Sequence, residues 1–298
     1  MPMPHPALRL HTALLVLCCG ALVAAPGGAQ GTATQAGPIA ASAAAPGGPT
    51  YADLVALAEG TPLVVKARIK DQATLKPERA PNLAPGFARL YVEAQTQSLL
   101  AGRMPVGESL RYLVDVPLDA KGKVPKFKKQ DVLLFARPVP GRSNELQLVD
   151  PRAQLVWTPE LDARLRPVLE QLAAADRPPE VTGVRDALSI AGTLVGESET
   201  QLFLDTANDG PVSITVVRRP GMEPRWGVSW TEIVDQAARP PRADTLEWYR
   251  LACALPRTLP AEANLSRDAE SRARAAEDYS YVISRLGPCE RRRGSNRS

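Results

Sequence analysis

Apolar and polar residues alternate with a period of two through much of the first half of the chain. Val65, Ala67 and Ile69 alternate with Lys66, Arg68 and Lys70, and Ala88, Leu90, Val92 and Ala94 with Arg89, Tyr91, Glu93 and Gln95. Leu110, Tyr112, Val114 and Val116 face one way, Arg111 and Asp115 the other. Successive strand side chains point to opposite faces, so this period predicts antiparallel strands with one wet face. Val132 to Phe135 is apolar throughout and predicts a central strand. Leu146 and Leu148 alternate again, and Ala153 to Trp157 adds a last strand. Ahead of them, Thr50 can cap a short helix over Tyr51 to Glu59, with Asp53 answering the cap and Gly60 stopping it. Five or six such strands over 50–157 predict a barrel-like domain of the oligonucleotide/oligosaccharide-binding (OB) type, with a two-sheet sandwich as the alternative.

The second half changes period. Thr158-Pro159-Glu160 is a helix start with a cap, a proline at the first helical position and an acid in the first turn. Leu161, Leu165, Val168, Leu169 and Leu172 follow at helical spacing, and Pro178-Pro179 ends this linking helix, 158–179. Strand composition returns at Leu188 to Leu194, Thr200 to Asp205 and Val212 to Val217, with Trp226 to Trp230 as a fourth strand. Asn208-Asp209-Gly210 is a hairpin turn, because these residues tolerate positive φ. Asp244 is the expected cap of a helix over Thr245 to Leu255, and Ser266 the cap of a longer one to Leu286. The fold class is α+β, with residues 180–290 forming a small antiparallel sheet and a helical hairpin. The basic tail 291–298 lacks an apolar anchor and is expected to be disordered.

The N-terminus adds a destination. Residues 1–29 have a short positive region, an apolar stretch from Leu14 to Val23, and small residues before a cut after Ala29. That is the layout of a secretory signal. Leu17 before Cys18 fits poorly with lipid attachment, so simple cleavage is expected. Residues 30–49 are uncharged and mostly Ala, Gly, Thr, Ser and Pro, and predict a flexible linker. The chain is thus expected in the periplasm or secreted, with no membrane-spanning segment after the signal.

Removing the signal also removes both histidines, His5 and His11. What remains has no imidazole for a Ser-His-Asp or Cys-His arrangement and no histidine metal ligand. Two cysteines remain, Cys253 and Cys289, and an oxidising compartment predicts that they bond. No metal site and no cofactor are expected.

Charge is uneven. All eight lysines lie between Lys66 and Lys129, and over 51–157 there are 16 Lys+Arg against 11 Asp+Glu, or +5. Over 158–298 there are 19 against 21, or −2. This asymmetry is too weak to imply nucleic acid. It is concentrated in Lys121, Lys123, Lys126, Lys128 and Lys129, a candidate anion-binding loop between two barrel strands, with Phe127 as an apolar wedge. Solvation of an exposed connection is the plainer role. A second candidate, Arg218, Arg219, Arg225, Trp226 and Trp230, would make a sugar-stacking contact site if its tryptophans were exposed and ordinary core if they were buried.

Nucleophile elbows, Ser-x-x-Lys and glycine-rich phosphate loops are absent. Asp205 to Gly210 begins like a calcium loop but carries Ala207 where a ligand is needed. Glu197, Glu199, Asp205 and Asp209 are the remaining acids for a carboxylate-dependent hydrolase acting on cell-wall glycans. The preferred expectation is a non-catalytic envelope binding or accessory protein, whose partner is an anionic envelope component or another periplasmic protein. The oligomeric state is not fixed by these features.

Arg-Leu-Tyr-Val-Glu-Ala (89–94), Leu-Leu-Phe-Ala-Arg-Pro (133–138), Glu-Thr-Gln-Leu-Phe-Leu-Asp (199–205) and Trp-Tyr-Arg-Leu-Ala-Cys (248–253) resemble a family of uncharacterised exported proteins of alphaproteobacteria. The resemblance runs from about residue 50 to 290. It implies export and carries no activity or functional residue.

Overall fold

The computed structural model describes residues 48–231 and 238–293, so the expected signal 1–29 and nearly all of the linker lie outside the described residues. The fold is α+β. Helix α1 (Tyr51–Ala58) precedes strands β1 (Leu63–Thr74), β2 (Phe87–Ala101), β3 (Ser109–Pro117), β4 (Asp131–Val139), β5 (Arg142–Leu148) and β6 (Gln154–Val156). The first five close into a barrel in the order β1-β2-β3-β5-β4-β1. Neighbours are antiparallel except β3 and β5, which run parallel where Arg111 meets Glu145. β6 shares an edge of β4 with β5, so the expected last strand seals the seam without entering the closed circuit.

Alternation explains the barrel's core. Val65, Ala67, Ile69, Leu90, Val92, Leu110, Tyr112 and Val114 are all buried. Val132 to Ala136 are buried at every position, as expected for a central strand. Register shifts in β1 at Val64/Val65, Lys66/Ala67 and Ile69/Asp71 bend this long strand, allowing it to pair with both β2 and β4.

Helix α2 (Pro159–Ala173) starts where its sequence signals it, with the Thr158 hydroxyl accepting from Leu161 N, and buries Leu161, Leu165 and Val168. A four-stranded antiparallel meander follows: β7 (Val181–Ala191), β8 (Ser198–Thr206), β9 (Val212–Arg218) and β10 (Arg225–Ser229). β7 begins at Val181 rather than Leu188. Register shifts between Val181 and Gly183, and between Val184 and Asp186, interrupt its period and hide its first half from a pattern search. Helices α3 (Leu246–Ala252) and α4 (Ala269–Leu286) complete the fold.

Both helix caps differ from expectation. Thr245, not Asp244, accepts from Trp248 N, and Asp268, not Ser266, accepts from Ser271 N. Ser266 serves the sheet instead, accepting from Ser189 N. Beside it, the backbone of 263–265 bonds along β7 through Ala187 and covers that edge.

Between α4 and the sheet lies a buried polar chain. Arg218 Nε donates to Asp278 Oδ1 at 2.5 Å, and Thr200 donates to Asp278 Oδ2 at 2.5 Å. Thr200 Oγ1 lies 2.9 Å from Ser189 Oγ. Burial pulls the Arg218 guanidinium down, but Asp278 and Glu277 outweigh it and leave the group raised.

Cys253 and Cys289 are bonded, with Cα atoms 5.0 Å apart. The bond anchors the segment after α4. Contrary to the expected disorder of 291–298, Arg291 to Arg293 are held in place: Arg292 N and Arg293 N donate to the Asp53 carboxylate at 3.2 and 3.1 Å. Residues 294–298 lie outside the described residues.

Candidate functional site

The five lysines of 121–129 are all exposed. Their connection joins β3 to β4, which are separated in the barrel by β5, so it crosses the barrel end rather than turning a hairpin. Its backbone is fastened at both ends. Asp119 Oδ1 accepts from Lys121 N and Lys123 N, each at 2.8 Å. Further on, Gln72 Oε1 accepts from Phe127 N at 2.6 Å while its Nε2 donates to Pro125 O at 2.9 Å. Lys129 N and Gln130 O then bond to Ile69 of β1 at 2.8 and 2.9 Å. Phe127 is half-buried against the core, so it is not a free apolar wedge.

The fixed backbone leaves the lysine side chains in solvent. Lys128 pairs with Asp71 at 3.2 Å, and both partners are exposed. The connection between β1 and β2 emerges at the same end and adds Lys76 and Arg79, while Lys70 projects from β1. Against these eight exposed cations stand the exposed Asp71, Glu78 and Asp119. Like-charged ammonium groups on a pinned scaffold create a local positive potential, a surface suited to a multivalent anion. The lysines themselves were evident in the sequence. Gln72, which fastens their loop, was not, because a polar residue at a strand's wet position carries no distinguishing signal.

The second candidate separates. Arg218 turns inward to Asp278. Trp226 is buried and Trp230 is half-buried against the core, so the sugar-stacking platform does not form. Arg219 and Arg225 do share a site: they line a groove of about 880 Å³ at one end of the second sheet. Glu197, Glu199, Gln201, Thr215, Tyr281 and Arg285 also line it.

The four candidate acids divide in the same way. Glu197 and Glu199 lie at the groove, whereas Asp205 and Asp209 lie toward the other end of β8. Six strand residues put Glu199 and Asp205 roughly 20 Å apart. Within the groove, Glu199 Oε1 accepts from Gln201 Nε2 at 2.9 Å, and Glu223 pairs with Arg285 at 3.0 Å. Glu197 folds back on its own turn, its carboxylate 3.4 Å from Leu194 N.

Among the described residues no three His, Cys, Asp or Glu side chains gather as a metal site, and no helix is long and apolar enough to cross a membrane. No model of a known protein family matches the chain, and no curated protein matches it.

Proposed function

We propose that this is an exported envelope protein that binds an anionic component without transforming it, and that the lysine-bearing barrel end is the contact surface. The observation that carries the reading is the pinned loop with five exposed lysines, at an end where eight cations oppose three carboxylates. Export is supported by the signal-like residues 1–29 and by a disulfide, which persists in oxidising compartments. The strand order and the parallel β3–β5 contact support an OB-like assignment for the barrel. In such barrels, ligands approach strands 2 and 3 and the loop between strands 1 and 2. Here that loop lies beside the lysine connection, with Leu118 N bonded to Gly86 O at 2.8 Å.

The hydrolase alternative has less support, because its four acids divide between the ends of the second sheet and Glu199 is already engaged by Gln201.

Two measurements test the proposal. Sequencing the N-terminus of native protein should find a start near residue 30, and a chain retaining His5 would refute export. Co-sedimentation with anionic vesicles or lipopolysaccharide should weaken by roughly fivefold for each lysine removed in Lys126→Gln, Lys128→Gln and Lys129→Gln. Unchanged binding in the folded triple variant would remove the lysine end as the contact surface.

A further inference from the structure

We infer that the groove on the second sheet binds an acidic oligosaccharide. The site is distinct from the lysine end and does not depend on it. Its floor is set by strand register. Glu199, Val217 and Arg225 form one cross-strand row, and Gln201, Thr215 and Gly227 form the next. Two strand spacings separate Glu199 from Arg225, or about 10 Å between their backbones. The backbone at Ala238 crosses directly over Gly227: a Cβ there would come within 2.2 Å of the Ala238 carbonyl carbon. Glycine thus allows this segment to press against the floor as a wall, bringing Arg239 to the groove.

The charges are of two kinds. Arg285 is occupied, paired with Glu223 and stacked 5.0 Å from the centre of the Tyr281 ring. Arg219, Arg225 and Arg239 have no ion-pair partner among the described residues. Guanidinium groups bind carboxylate or phosphate through paired N–H donors. On the opposite side, Glu199 presents a carboxylate already oriented by Gln201, and the Thr215 hydroxyl lies between. These groups accept from hydroxyls.

A ligand that satisfies the whole floor carries oxyanions at one end and hydroxyl donors about 10 Å away. Two linked sugar rings bearing a carboxylate meet both requirements. A bare polyanion would set negative charge against Glu197 and Glu199, and a wholly apolar ligand would cover Val217, Met222, Pro224 and Tyr281 but leave the Arg219, Arg225 and Arg239 guanidiniums desolvated without partners. The volume lies within the usual range of small-ligand sites, about 300–1,000 Å³.

The test is calorimetric titration of the full chain with 3′-sialyllactose, which carries one carboxylate at one end and neutral hydroxylated rings beyond it, and with maltotriose and tripolyphosphate. Sialyllactose should bind at least about tenfold more tightly than either of the others. Arg225→Gln should weaken it by a similar factor while leaving the melting temperature unchanged. Glu199→Ala separates the chemistries: loss of a hydroxyl acceptor weakens an acidic sugar whose charge lies at the arginines, whereas loss of a negative charge tightens a simple anion. Failure of sialyllactose to bind, or its tighter binding after Glu199→Ala, would overturn the inference. The lysine triple variant should bind sialyllactose like the parent. If it does not, the sugar acts at the barrel end and the groove assignment fails, whatever the outcome for vesicles.

Discussion

The Asp53 carboxylate accepts a hydrogen bond from the Arg293 backbone N–H at 3.1 Å, across 240 residues of sequence. The same carboxylate accepts from Arg292 N at 3.2 Å and from Thr50 N at 2.9 Å, while the Thr50 hydroxyl donates to Glu290 O at 2.8 Å. A helix-capping pair at the start of the barrel domain therefore also binds the segment beyond α4.

Replacing Asp53 with Ala should remove the reciprocal half of the capping box, the acceptor of Thr50 N, and leave the tail's N–H groups without this acceptor. The expected loss is about 1–3 kcal/mol. Urea unfolding measures it, and proteolysis should trim the C-terminus of the variant first. An unchanged midpoint with a protected tail would contradict the role.

The disulfide acts on the same segment, because Cys289 lies between α4 and the residues held by Asp53. Closing a loop with a sequence separation of 36 should contribute about 3–4 kcal/mol in the chain-entropy account. Cys253→Ser with Cys289→Ser should lower stability by that order, and reductant should have no further effect on the double variant. Alkylation of both thiols in native oxidised protein would show that the bond is absent.

The elements legible in the sequence were those whose burial follows a regular period. The barrel strands, α2 and the β8–β9 hairpin depend on local alternation or capping. The first half of β7 was hidden by bulges, because two register shifts cancel the period. The cap at Asp268 was hidden because Ser266, two residues earlier, is an equally good cap by composition and is used by Ser189. Tail order was illegible for a different reason: nothing near Arg293 indicates that Asp53 will be its partner. For the candidate site, the lysines and the Arg219–Arg225 stretch were visible as local clusters. The inward turn of Arg218 and the arrival of Arg239 depend on tertiary packing.

Asp131 should make stability depend on acidity. The hydrogen bond from Arg68 holds its carboxyl below the usual range; burial opposes this, and Lys66 and Gln97 reinforce it. Folding therefore favours the charged form. That contribution is complete above the unfolded value of roughly 4 and is lost as pH falls through the lower folded value. Asp131→Asn should melt earlier than the parent at neutral pH, and the gap should close in acid. A gap independent of pH would show that this carboxylate does not contribute in this way.

Removing Asp278 should leave the Arg218 guanidinium without its buried partner. Asp278→Ala is expected to cost about 3 kcal/mol, toward the low end for a broken buried pair because Arg218 remains 24% exposed and keeps Glu277. Arg218→Met with Asp278→Leu should recover much of the loss. Chemical denaturation of the parent and the two variants decides it, and equal instability of the single and double variants would contradict the pairing argument.

The most direct test of the lysine end is the salt dependence of binding to anionic vesicles, measured for the parent and for Lys126→Gln/Lys128→Gln/Lys129→Gln. Exposed charges are screened within about 10 Å at 0.1 M salt. Parent affinity should therefore fall steeply between low and physiological salt. The triple variant should bind more weakly, with a flatter dependence and the parent's melting temperature. Parallel salt curves of equal affinity for the two proteins would contradict the account.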